Sequence, residues 1–199
     1  MNWILLRDMK ECVNVSSRLE GSNTMKRSEI VLAGSGGQGL VTSGIMIAEA
    51  AILDGKNVVQ TQSYGIAQRG GFSSAEVIIS EDEILYQKVQ NPDIIVVLND
   101  DAANKLTNVT GHVLYDSSLM QDYSDRGWKG VPFYKIAQEA GSIKAANIVA
   151  IGAMIEMVSV ISLESFIQVI QKKFWRGNYD RSCRCPFSES GQDILFCGE

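Results

Sequence analysis

The sequence holds a single histidine, His112, only three prolines, and no cysteine between Cys12 and Cys183. Without a thiol in the body and with one imidazole, no nucleophile–base pair is evident, so no catalytic residue is assigned. Positive charge is also scarce. Eighteen Lys and Arg stand against twenty-three Asp and Glu, a net charge of -5. Nucleic-acid binders normally show a basic face or stripe, and that class of partner is excluded. No apolar run reaches the roughly 18–20 residues that a membrane span needs. The longest candidate, residues 143–160, is interrupted by Lys144, Asn147 and Glu156. Trp3-Ile4-Leu5-Leu6 is too short for a secretory signal and is followed by Arg7 and Asp8. These absences predict a cytoplasmic protein with no membrane partner.

The four cysteines, Cys12, Cys183, Cys185 and Cys197, sit at the two ends of the chain. A metal site built on Cys183-x-Cys185 and Cys197 would need a fourth ligand from Cys12 or His112, and it lacks the usual Cys-x-x-Cys spacing. No metal ligand is assigned, and reduced thiols are expected.

What is present suits one α/β domain, since domains commonly hold roughly 100–200 residues. Residues 1–26 are polar and without periodicity, and read as a poorly structured N-terminal extension. Residues 27–174 alternate strand-like and helix-like segments. Residues 175–199 form an atypical tail rich in Cys and Ser. The middle opens with Glu29-Ile30-Val31-Leu32-Ala33, a short β run. A helical pattern follows with Leu40, Gly44, Ile47, Ala48, Ala51 and Ile52 on one side, ending at Asp54-Gly55. Residues 57–62 read as a second strand that completes a β-loop-α-β unit. Residues 73–80 alternate, with Ala75, Val77 and Ile79 on one face. Residues 84–89 read as an edge or loop segment. Residues 93–98 are β-branched and continuous, as a buried parallel strand should be. Asn99-Asp100-Asp101 follows, with the two carboxylates read as capping a short helix to Leu106. A strand at 112–115, helices at 134–140 and 143–160, and a last helix at 163–174 capped by Ser162 complete the pattern. The fold class is α/β, a single Rossmann-like domain with a mostly parallel sheet flanked by helices.

Two glycine-rich loops carry the candidate chemistry. The first, Gly34-Ser35-Gly36-Gly37-Gln38-Gly39, fits G-x-G-x-x-G between a strand and a helix, where backbone N–H groups can meet a phosphate. A dinucleotide site also needs an acid at the end of the second strand, about 20 residues on. That strand ends Thr61-Gln62-Ser63, with no acid, and no Gly-Lys-[Ser/Thr] marks an NTP site. The second loop, Ser63-Tyr64-Gly65-Ile66-Ala67-Gln68-Arg69-Gly70-Gly71, sets a guanidinium among glycines. Arg69 can grip a carboxylate or phosphate bidentately. The structural alternative, which the mix of Tyr, Gln, Arg and glycines disfavours, is an Arg that caps carbonyls or pairs with Glu76 or Asp100.

Taken together, Gly34-x-Gly36-Gly37-Gln38-Gly39 and Ser63-Tyr64-Gly65-x-x-x-Arg69-Gly70-Gly71 resemble the gamma subunit, or gamma domain, of 2-oxoacid:ferredoxin oxidoreductases. Asn99 and the segment Asn147-Ile148-Val149-Ala150-Ile151-Gly152 look like later landmarks of that family. Gln62-Ser63-Tyr64-Gly65 is closest in form to 2-oxoglutarate members, whereas Ala67-Gln68-Arg69-Gly70-Gly71 is similar to indolepyruvate oxidoreductase beta subunits. The resemblance implies a multisubunit enzyme that decarboxylates a 2-oxoacid, passes electrons to ferredoxin and delivers the acyl group to coenzyme A (CoA). It implies that thiamine diphosphate, Mg and the iron–sulfur cluster belong to alpha and beta, and in some assemblies delta, subunits. This chain is then accessory, holds no cofactor alone, packs near the active site or contacts CoA, and is inactive in isolation, with room for a homodimer. Met25-Lys26-Arg27 looks like the family's usual start, and the tail from Trp175 departs from its pattern. The Gly-Asp-Gly and Asn-Asn thiamine-diphosphate signature is absent. The remaining alternatives are an indolepyruvate or pyruvate oxidoreductase subunit and a stand-alone nucleotide-binding Rossmann module.

Overall fold

β-Branched and aliphatic runs alternate with helical periodicity from Arg27 onward, and each run forms the element that its pattern favours. A computed structural model describes residues 27–64, 71–106 and 109–174. Residues 1–26 and 175–199 lie outside the described residues, as do all four cysteines. The strands are β1 (Arg27–Ser35), β2 (Asn57–Tyr64), β3 (Phe72–Ser80), β4 (Ile94–Val97), β5 (His112–Asp116) and β6 (Lys129–Val131). The α-helices are α1 (Leu40–Leu53), α2 (Asp100–Lys105), α3 (Phe133–Glu139), α4 (Ala146–Val158) and α5 (Leu163–Phe174). One six-stranded sheet has the order β2-β3-β1-β4-β5-β6. β1, β4, β5 and β6 pair in parallel, while β3 runs antiparallel to both β1 and β2.

That order corrects the expected β1-α1-β2 unit. The two strands run the same way but are not neighbours, because β3 lies between them: Ala75 pairs with Leu32 on one side and Gln62 on the other. The short connection from β2 to β3 returns the chain beside the strand it left, as an antiparallel turn can and a parallel crossover cannot. Alternation in residues 73–80 reveals a strand but not its direction.

Both faces of the sheet are covered. On one, Ile30, Leu32, Ala75, Val77, Ile79, Ile94 and Val96 pack with residues of α1, α3, α4 and α5, including the fully buried Phe133 and Phe166. On the other, Ala33, Ile95, Val97, Val113 and Tyr115 pack with Ala102 and Ala103 of α2 and with Met120 and Tyr123. α4 is buried continuously from Ile148 to Ile155, which accounts for its lack of a polar face. It starts at Ala146 rather than at Ile143, because Ile143–Ala145 forms a 3-10 turn, and it stops at Ser159 in the left-handed region.

Two further expectations need correction. Ile52 does not share the buried side of α1: the stripe runs through Met46, Ile47, Ala50 and Ala51, and a step of about 100° turns Ile52 outward. The cap of α2 is Asn99, whose side chain accepts from Ala102 N at 2.9 Å. The Asp100 carboxylate instead accepts from Gln121 N at 3.0 Å and from the Tyr123 hydroxyl at 2.9 Å. Strand β6, three residues containing a glycine, carries too little pattern to be read from sequence.

Ser162 does cap α5, accepting from Ser165 N at 3.1 Å. Asp54, at the end of α1, holds the same corner: its carboxylate accepts from Ser162 N at 2.6 Å and the Ser162 hydroxyl at 2.8 Å, and also from the Ser165 hydroxyl. Burial pushes the Asp54 carboxyl up, but these bonds and the Lys56 charge outweigh it and bring it below its ordinary 3.8. Asp54→Ala is expected to cost about 1–3 kcal/mol in urea unfolding at pH 7. A depressed carboxylate stabilises above its ordinary pKa and loses that contribution as pH falls through the lower folded value. The gap between wild type and variant should therefore close below pH 3.8. Equal midpoints at pH 7 would contradict the role.

Candidate functional site

The parallel strands end along one edge of the sheet, where open α/β folds place their ligands and partners. Ser35, Tyr64, Val97, Asp116 and Val131 end their strands there, and Phe72 begins β3 at the same edge. The first glycine loop meets Gly71 at this edge. The Gly36 N–H donates to the Gly71 carbonyl at 3.1 Å, and Ser35 pairs with Phe72.

The first loop is tied to its own side chain. Gln38 Oε1 accepts from Ser35 N at 2.7 Å, and Gln38 Nε2 donates to the Leu98 carbonyl at 2.9 Å. One amide thus links the ends of β1 and β4. It lies across Gly34, where a Cβ would collide with Gln38 Oε1 and press on Leu40 and Leu98. Gln38 N donates to the Ser35 carbonyl at 3.3 Å. The N–H groups of Ser35, Gly36 and Gln38 are therefore all engaged within the fold.

Gly39 takes the left-handed conformation, φ 76°, at the start of α1. A Cβ there would stand 2.6 Å from Asn147 Nδ2. Asn147, near the start of α4, donates to the Ser43 hydroxyl at 3.1 Å. Its Oδ1 is buried and is the one such side-chain atom without a partner among the described residues. Leaving an acceptor unmatched costs about 1–3 kcal/mol, so that atom is an open valence at the edge. Gly37 is also in the left-handed region, φ 99°, and faces open space.

The expected site residues thus divide. Gly34, Gly36, Gln38, Gly39, Asn147 and Gly71 gather at one edge through the contacts above, Gly37 lies within the same loop, and Asn99 follows β4 and caps α2. Ser63 and Tyr64 belong to β2 rather than to a loop, with Ser63 exposed and paired to Ser74. Gly65, Gln68, Arg69 and Gly70 lie outside the described residues. Two residues went unread in sequence. Ser43, one turn after Gly39, holds Asn147. Asp116, buried at the end of β5, accepts from Ser118 N at 2.9 Å and Tyr134 N at 3.0 Å and fixes the start of α3. A lone Asp just past a strand was the available signal.

This geometry fits a bound dinucleotide poorly. Three of the loop's N–H groups, those of Ser35, Gly36 and Gln38, are taken by the Gln38 side chain, the Gly71 carbonyl and the Ser35 carbonyl. The ribose-binding end of a second strand is displaced as well, since β3 sits between β1 and β2. Both lines of evidence describe a rigid surface.

Comparison with known proteins decides the family. Residues 29–185 match the family described as pyruvate ferredoxin/flavodoxin oxidoreductase. The chain belongs to this family. The match passes Phe174 into the tail. The 2-oxoglutarate synthase subunit KorC of Archaeoglobus fulgidus is 45% identical over 148 residues, covering 72% of this chain and 77% of that protein. KorC of Methanocaldococcus jannaschii is 38% identical over 165 residues, 78% of this chain and 88% of its own length. Among solved structures, the gamma subunit of a keto/oxoacid ferredoxin oxidoreductase from Geobacter sulfurreducens is similar. Its TM-score is 0.60 at 35% identity, covering 73% of this chain and 86% of that one.

Within this pyruvate ferredoxin/flavodoxin oxidoreductase chain, Gln38→Ala should strand the Ser35 N–H and the Leu98 carbonyl, at about 1–3 kcal/mol for each group kept from water. Gly39→Ala adds a left-handed penalty of roughly 1–2 kcal/mol to the clash with Asn147. Chemical denaturation measures both, and wild-type midpoints would refute the locked loop. An NADH fluorescence titration of the wild-type chain should show no saturable binding.

Proposed function

We propose that this chain is the gamma subunit of a cytoplasmic 2-oxoglutarate:ferredoxin oxidoreductase. The complex removes carbon dioxide from the 2-oxoacid, transfers the acyl group to CoA, and passes the electrons released to ferredoxin. The observation that carries the reading is the 45% identity to a 2-oxoglutarate synthase subunit across most of both chains. Substrate choice rests on the same footing: four 2-oxoglutarate synthase subunits match at 34–45% identity, against 32–34% for two ketoisovalerate oxidoreductase subunits and 28% for an indolepyruvate oxidoreductase subunit. A 2-oxoglutarate:ferredoxin oxidoreductase of Magnetococcus marinus, solved with 2-oxoglutarate, CoA and succinyl-CoA, is similar at TM-score 0.66 and 26% identity.

The residues here suit support rather than chemistry. Three carboxylates are spent on the fold: buried Glu29 accepts from Gln90 N, Asn91 N and Arg27, half-buried Asp54 holds the α5 corner, and buried Asp116 fixes α3. Among the described residues no three His, Cys, Asp or Glu side chains are grouped to hold a metal ion. By the resemblance to its relatives, thiamine diphosphate, Mg and the iron–sulfur cluster belong to alpha, beta and any delta subunits, where they supply decarboxylation and electron transfer. This chain contributes the edge built by Gly34–Gly39, Ser63–Gly71, Asn99 and Asn147. That edge meets the partner subunits or the CoA they bind. Arg69 supplies the charged grip.

Co-expression with the partner subunits, followed by purification on a tag carried by this chain, should recover 2-oxoacid-dependent viologen reduction. 2-Oxoglutarate should be preferred over pyruvate, indolepyruvate and 2-oxoisovalerate. Arg69→Ala should lower turnover or recovery about tenfold, the equivalent of losing roughly 1.4 kcal/mol, with the circular dichroism of the isolated chain unchanged. Turnover by the isolated chain, or an unaffected Arg69→Ala complex, would refute these assignments.

A further inference from the structure

Three aromatic rings pack in succession on the face of the sheet that α2 covers. Tyr115 of β5 meets Tyr123 edge to face, with ring centroids 5.6 Å apart and planes at 85°. Tyr123 meets Trp128 at 5.2 Å and 32°. Both tyrosines are buried, whereas Trp128 is half-buried and reaches the surface. Room for the inner ring is made by Gly130, where a Cβ would stand 2.9 Å from the Tyr115 hydroxyl.

Each phenol is paired with a carboxylate. The Tyr115 hydroxyl donates to Asp122 Oδ1 at 2.8 Å, and the Tyr123 hydroxyl donates to Asp100 Oδ1 at 2.9 Å. Most side-chain hydrogen bonds in proteins go to backbone or water, so two successive phenols on two separate carboxylates are more than packing requires. Burial, and next the neighbouring carboxylate, push both hydroxyls above their ordinary 10.0. Both phenols therefore hold their protons in the resting protein. Asp122 is held below its ordinary 3.8, by Ser124 N first and then by Tyr115, and is ionised.

Arg126 closes the outer end. Its guanidinium lies 4.9 Å from the centre of the Tyr123 ring and 5.1 Å from that of Trp128, and it donates to the Ala103 carbonyl at 3.1 Å. A cation over the rings opposes further positive charge on them. A ring that loses an electron here must lose a proton with it, and the carboxylates stand where they can take it from the phenols.

We propose that Trp128, Tyr123 and Tyr115 form a relay that carries a one-electron oxidising equivalent from the surface to Tyr115, with Asp100 and Asp122 as proton acceptors. The oxidant is an oxygen-centred radical, which takes one electron and one proton from the Trp128 indole and leaves as the hydroxyl compound. Tyr123 then gives an electron to the Trp128 radical and its phenolic proton to Asp100, while Trp128 regains a proton from water. Tyr115 next reduces the Tyr123 radical and passes its own proton to Asp122, and Tyr123 takes back the proton on Asp100. One outside radical is quenched, and one tyrosyl radical remains at Tyr115 with its proton on Asp122. The relay is a property of this chain alone and does not depend on the subunit role proposed above.

The chain holds three tryptophans, so replacing Trp3 and Trp175 by Phe leaves Trp128 as the only one. In that background, photogenerated ruthenium(III) tris(bipyridine) serves as the oxidant for the full chain. Transient absorption should show a tryptophanyl radical giving way to a tyrosyl radical. Tyr123→Phe should lengthen the tryptophanyl lifetime at least about tenfold. Asp100→Asn leaves the rings in place and keeps an oxygen for Gln121 N, so it tests the same step should the ring substitution unfold the chain. It should lengthen that lifetime by about tenfold as well. Tyr115→Phe should spare the tryptophanyl decay and change the hyperfine pattern of the tyrosyl radical in electron paramagnetic resonance of frozen samples. A tryptophanyl lifetime untouched by Tyr123→Phe would overturn the relay, because rings that merely pack would leave it so. One untouched by Asp100→Asn would overturn the coupled proton step, and an unchanged tyrosyl spectrum in Tyr115→Phe would overturn Tyr115 as the terminus.

Discussion

β3 lies antiparallel between β1 and β2, and most of what is distinctive about the molecule follows from that placement. To reach it, the chain must reverse between Tyr64 and Phe72, at the carboxyl edge of the sheet. That return brings Gly71 to Gly36, and a main-chain hydrogen bond joins them. The same insertion pushes β2 outward, removes it from the neighbourhood of β1, and leaves it as an edge. One topological choice thus weakens the dinucleotide reading and leaves β2 outermost among the described strands.

Gln38 then decides what the first loop can do. A glycine-rich turn ahead of a helix is an anion site when its N–H groups are free. Here the Gln38 amide takes the Ser35 donor and reaches the Leu98 carbonyl, satisfying both strand ends at once. Glycine at 34 leaves room for that side chain, and glycine at 39 leaves room for Asn147. The sequence G-x-G-x-x-G is compatible with two opposite uses of the same backbone. The identity of the fifth residue separates them here.

Much of this was legible in the residues, for physical reasons that vary by element. Ile94–Val97 announced itself because a strand buried on both faces must be apolar throughout. Ser162 announced a helix start because a hydroxyl there meets an otherwise unpaired N–H. Strand direction stayed hidden, since alternation in Ala75, Val77 and Ile79 is the same read from either end. Ile52 misled because the buried stripe of α1 ends before the helix does, and in sequence an exposed isoleucine looks like a buried one. The pairing of Gly39 with Asn147 spans most of the domain in sequence. Only the resemblance had marked both positions, and no periodicity joins them. The Arg69 loop was the most distinctive motif in the sequence and lies outside the described residues, so its role rests on the motif and on its neighbours Ser63 and Gly71.

The distribution of the module among its relatives fits a part that positions rather than reacts. It makes up most of the KorC chains, 77% and 88% in two of them, and about a third of the VorA chains. Joining two modules by a linker changes the effective concentration at which they meet, and adds no contact. The contacts must therefore be sufficient in the separate form, where nothing tethers the partners. A surface that works under both regimes has to be preorganised, because ordering a loop upon docking would subtract from an affinity that the separate subunit cannot spare. The Gln38 bridge, the Gly36–Gly71 bond and the capped helix starts at Asn99 and Ser162 supply that rigidity before any partner arrives.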